Sequence, residues 1–213
     1  MRYLQRSKAK VIGKTTLLLF LLMTTLLPSH STLHYPNPIQ IDLGGRNAHA
    51  AFIYTTSHPN PLPVLERRIR ENIRVAIITQ VGHIAFTPEL EGQIDKLVRQ
   101  CLGRLSVIRC KPRWKEWSLA FKSLLEARQI ESYGPRRDME GEAGGMDLVI
   151  CDGFGDGFWA ERWNDENTKS RPKVKGLRGG EVTMGDVIDD IGRLRKDLGA
   201  VVILSVQGLW VSF

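Results

Sequence analysis

Cysteine is scarce and unpatterned. Cys101, Cys110 and Cys151 are the three in the chain, and no C-x-x-C spacing joins any of them. That excludes a disulfide framework and a thiolate zinc cluster, and leaves small core residues in a reducing compartment. Long apolar runs are missing too: Thr15–Leu27, TTLLLFLLMTTLL, is the longest candidate. It falls short of the roughly 20 residues a helix needs to span a bilayer, so no membrane partner is implied. Glycine is absent at one telling place. Counting back from Gly13, the G-x-x-x-x-G-K-[ST] phosphate loop requires glycine at position 8, and Lys8 stands there. The apolar stretch Ala48–Thr56, AHAAFIYTT, reads as a short buried strand and ends on Thr55, Thr56 and Ser57. Hydroxyls do not act as general bases at neutral pH without an activator, so hydrolysis of a nucleotide is not expected.

What is present is an ordinary globular composition, 42% apolar and 25% charged over 213 residues, enough for one α/β domain with a core. The formal charge is +7, and Arg2, Arg6, Lys8, Lys10 and Lys14 crowd five cations ahead of the first apolar block. We therefore separate a basic segment, 1–12, from a core over 13–213. A positive excess favours polyanions, but a basic tail more often forms a solvated segment than a groove reader. The same start, basic and then apolar, has the outline of a secretory signal. A secreted or membrane-associated α/β protein using residues 1–30 as that signal is accordingly one alternative. The other is an active P-loop ATPase of a different family.

Taken in order, Gly13 opens a helix that Pro28 stops, and 28–47 read as a loop. A basic helix begins over Leu65–Arg74, while 75–87 fit either an extra strand or sequence foreign to the surrounding fold. Pro88, followed by Glu89 and Glu91, starts a helix through Leu102. Leu105–Cys110 is a strand and Arg113–Gln129 an amphipathic helix. A cap at Thr183 or Asp186 opens the last helix, Gly199 closes it, and Ala200–Gln207 is a further buried strand. Strands alternating with helices at this spacing predict a mostly parallel sheet with flanking helices.

The chain is organised around Asp147–Trp163, DLVICDGFGDGFWAERW. Leu148–Cys151 run without alternation into Asp152, the pattern of a strand buried on both faces. Ligands of parallel α/β sheets bind outside the carboxyl ends of the strands, where Asp152 stands. Gly13-Lys14-Thr15-Thr16 supplies the complementary half of a nucleoside-triphosphate site. The lysine reaches phosphate oxygens, and Thr15 and Asp152 serve Mg²⁺.

The runs GKTTLLLFLLMTTLLP, VRQCLGRLSVIRC, LVICDGFGDGFWAERW and DVIDDIGRLRKDLGAVVILSVQGLW resemble the RecA/Rad recombinase superfamily, and within it the DNA-repair recombinase paralogues. The resemblance covers most of 13–212. It implies a RecA-like P-loop NTPase core, incomplete at both ends. It also implies a nuclear location, ATP and Mg²⁺ as cofactors, and assembly with sister paralogues in homologous recombination of double-strand breaks. On this resemblance Gly13, Lys14, Thr15 and Thr16 match the back of the phosphate loop. Asp152 matches the Mg²⁺-side carboxylate, and Gln207 the residue that senses the γ-phosphate. The basic stretch Lys169–Arg178 falls where DNA-contacting loops lie, which implies single-stranded DNA as a partner. Phe158, Trp159, Trp163 and Trp210 are candidate anchors for a protein partner.

Overall fold

The computed structural model describes residues 2–35, 37–82, 85–133, 146–158 and 182–206. The described elements are α1 (Arg2–Leu26), β1 (His30–Tyr35), β2 (Asn37–Asp42), β3 (His49–Thr55), α2 (Leu62–Val81) and α3 (Pro88–Leu102). They continue with β4 (Leu105–Cys110), α4 (Trp114–Tyr133), β5 (Met146–Asp152), α5 (Met184–Leu198) and β6 (Val201–Ser205). The fold is α/β, with a four-stranded sheet in the order β4-β3-β5-β6, a separate antiparallel hairpin β1-β2, and flanking helices. β5 and β6 pair in parallel, Leu148 opposite Val201 through Asp152 opposite Ser205.

The chain divides into two compact units. The first comprises Met1–Ala51 and Asn60–Ser106. Its core takes Leu18, Leu19, Leu22, Met23 and Leu26 from α1 and Leu27 just after it, together with Leu65, Ile69, Ile73 and Ile77 from α2. Residues four apart lie on one helix face, so the α2 set forms a single buried stripe. On its polar side α2 is tied to α3: Arg70 bonds Asp95, and Arg74 Nη2 donates to Glu91 Oε1 at 2.7 Å. The Gln93 amide exchanges two hydrogen bonds with the His34 backbone, and that of Gln80 does the same with Asp42, so both helices hold the hairpin by main-chain contacts.

The second unit comprises Phe52–Pro59 and Val107–Phe213. Trp114, Trp117, Phe121 and Phe154 form its aromatic core, with Trp117 and Phe154 edge-to-face at 5.1 Å between centroids. α4 and α5 are joined through a buried polar contact, Ser118 Oγ donating to Asp190 Oδ2 at 2.6 Å. The buried carboxylate also has Arg193 at 3.8 Å and Lys122 at 4.0 Å.

Several expected boundaries move. The first helix opens at Arg2, so residues 2–12 of the basic segment belong to it and Gly13 lies in its interior. The expected loop over 28–47 contains the β1-β2 hairpin. Residues 75–81 extend α2 rather than forming a strand, because Ile73 and Ile77 continue the buried stripe and override the β-branched composition. α3, β4, α5 and its capping residues lie where the sequence puts them.

Candidate functional site

The strand order reverses direction between β3 and β5: β4 follows β3 on one side, and β6 follows β5 on the other. Open α/β sheets bind their ligands at such a switch point, outside the carboxyl ends of the two central strands. All the residues that gather there belong to the second unit. β3 delivers Thr55 at its end, then Ser57 and His58 just beyond; β5 delivers Asp152, then Asp156 across a glycine-rich turn.

Asp156 Oδ2 is the common acceptor. Thr55 Oγ1 donates to it at 2.7 Å and Ser57 Oγ at 2.5 Å, and His58 Nε2 lies 3.1 Å away. The other face of the imidazole, Nδ1, is 3.4 Å from Asp152 Oδ2. His58 therefore bridges two carboxylates, and all three side chains are nearly enclosed, at 12%, 7% and 11% exposure for His58, Asp152 and Asp156. The second oxygen of Asp156, Oδ1, is buried and lacks a hydrogen-bond partner.

Gly153 makes this packing possible. Its φ is +81°, and a Cβ there would stand 2.6 Å from Asp156 Oδ2, 2.7 Å from Thr55 Oγ1 and 2.8 Å from His58 Nε2. The Asp-Gly pair that closes β5 is thus the floor of the cluster as well as a turn.

Ser57 and His58 both address Asp156 Oδ2, so the carboxylate links the hydroxyl and the imidazole. Thr55 and Ser57, the hydroxyls at the end of this strand, both donate to Asp156. Sequence reading stopped one residue short of His58, and Asp156 was hidden in an aromatic turn. The signal available was a buried strand followed by T-T-S-H, and a D-G-x-G-D after the central strand.

Of the expected site residues, Asp152 closes β5 and is buried, as a strand-end carboxylate should be. Gly13, Lys14, Thr15 and Thr16 lie midway along α1, within the first unit. In a helix interior each N–H already bonds the carbonyl four residues back, so these four residues offer no backbone cradle for phosphate. ATP does not fit them as a loop-bound ligand. Among the described residues no group of three or more His, Cys, Asp or Glu side chains is arranged to hold a metal ion, Mg²⁺ included. Gln207, Trp159, Trp163, Trp210 and the stretch Lys169–Arg178 lie outside the described residues. Phe158 is half-buried, its ring edge-on to Trp114 at 6.3 Å. Among the described residues no helix is long and apolar enough to cross a membrane, and one face of the apolar block of α1 is core while Leu17 and Phe20 are exposed.

Fold and site together define an α/β domain with a buried histidine–dicarboxylate cluster at the strand ends. No family model matches the chain, and no curated protein matches it.

Proposed function

We propose that this chain is a recombinase-paralogue subunit, resembling X-ray repair cross-complementing protein 2, that assists homologous recombination repair of DNA double-strand breaks. In this reading it works in the nucleus, assembled with sister paralogues and near single-stranded DNA. Its ATP and Mg²⁺ site is degenerate, and the core is RecA-like in ancestry. The observation that carries the reading is Asp152, a buried carboxylate closing the central strand at the switch point, where a nucleotide-binding sheet keeps its metal-side acid. The helical setting of Gly13–Thr16 supports the degenerate half of the proposal, since Lys14 there has no loop around it.

The test is genetic and biochemical together. Cells lacking the chain should be hypersensitive to an interstrand cross-linking agent and be rescued equally by the wild type and by Lys14→Ala. The purified chain should bind no ATP in equilibrium dialysis with Mg²⁺. Normal cross-link tolerance in the deleted cells would refute the repair assignment. Micromolar ATP binding abolished by Lys14→Ala would refute the degenerate site.

A further inference from the structure

We propose that the outer edge of β6, with the groove beside it, is a docking site for an extended, acidic segment of a partner protein that adds to the sheet as a further strand. The inference rests on the second unit alone and is independent of the recombination reading. β6 ends the strand order, and among the described residues only β5 pairs with it. A strand directs N–H and C=O groups to both sides, so the side of β6 away from β5 presents a row of donors and acceptors that no described strand takes up. Native sheets blunt such edges with charge, proline or cover. Here the edge strand is VVILS, and Val201 is 59% exposed.

A groove of about 730 Å³ lies against this strand. Its walls include Ile191, Arg195 and Lys196 from α5 and Val201, Val202 and Leu204 from β6. The apolar side chains fit alternate residues of an incoming strand, since successive side chains point to opposite faces. Both charged side chains in the lining are cationic, which selects an occupant carrying Glu or Asp in register with them. Main-chain pairing supplies affinity and the two cations supply choice, the usual division of labour in strand addition.

The experiment uses the full chain and fluorescein-labelled ten-residue peptides read by anisotropy. A peptide alternating valine and glutamate should bind saturably, and its valine–lysine counterpart at least about tenfold more weakly. N-methylation of alternate amides, which removes ladder donors but keeps every side chain, should abolish binding. An Arg195→Glu, Lys196→Glu double variant should reverse the preference between the two peptides while keeping the wild-type circular dichroism. Equal binding of the N-methylated peptide would overturn strand addition, and absence of saturable binding would overturn the site. Sedimentation showing dimers that Val201→Lys dissolves would assign the edge to a second copy and overturn the partner proposal. Tighter peptide binding by a chain ending at Val206 would assign the edge to residues 207–213, with the same consequence.

Discussion

Gly153 occupies the position where local backbone and tertiary chemistry meet. An alanine there meets two penalties, a left-handed φ and three polar atoms closer than any Cβ tolerates. Gly153→Ala is expected to lower stability by about 1–3 kcal/mol, read as a lower urea midpoint at unchanged slope. Asp156→Asn should shift the His58 ring resonances in NMR without comparable loss, since the amide keeps one acceptor for Thr55 and Ser57. The cysteines behave as the sparse, unpatterned sequence suggests. Burial raises the Cys101 thiol and pushes that of Cys110 up to about 12, and Cys151 is raised as well, again by burial. A thiol whose folded pKa is raised stays protonated at pH 8, and the thiolate is the reactive form. The native protein should therefore leave all three unmodified by a thiol-specific disulfide reagent at that pH, and urea should expose all three. Rapid reaction in the native state would contradict the buried placement. Asp152 could be read from residues alone, because an apolar run ending in a carboxylate has few other meanings. The partnership of His58 with it could not, since 94 residues of chain separate two groups that pair only across strand ends.

At the level of elements, the best-specified helix is α5. Thr183 accepts from the Asp186 N–H, Asp186 accepts in return from the Thr183 N–H, and Gly199 ends the helix at φ +69°. Thr183→Ala should cost about 1 kcal/mol, measurable in thermal unfolding. The Asp186 carboxyl lies below the usual carboxylate range, chiefly because the Thr183 backbone N–H donates to it. A depressed folded pKa gives stability that is present above the unfolded value, about 4, and is lost as pH falls through the folded one. Alanine keeps the Thr183 N–H but loses the hydroxyl that also donates to the Asp186 carboxylate, so only that part of the Thr183→Ala deficit should shrink in strongly acidic solution, the deficit being constant above about pH 5. Caps and prolines are local signals, which is why α3 and α5 were legible to the residue. α2 was not. Its continuation through 75–81 depends on Ile73 and Ile77 being buried by other elements, and a β-branched run alone cannot state that.

For the whole molecule, each compact unit is discontinuous in sequence, because the second takes Phe52–Pro59 from within the stretch that otherwise builds the first. Those eight positions carry Thr55, Ser57 and His58. A fragment spanning 107–213 lacks them and should show no cooperative unfolding transition, whereas the full chain should; a sharp transition in the fragment would oppose this. The +7 charge makes a further expectation at this scale. DNA affinity, where measured, should fall steeply as salt rises, because phosphate contacts release counterions. A flat dependence would exclude a phosphate-tracking role. By itself the sequence determined the α/β class, the caps, the inert thiols and the strand-end aspartate, because each is encoded by neighbours within a few positions. Only the tertiary structure decided that GKTT is helix interior, that His58 and Asp156 join Asp152 in one cluster, and that β6 stands last among the described strands. Those outcomes depend on which distant segments compete for the same backbone groups, and a linear pattern does not contain that competition.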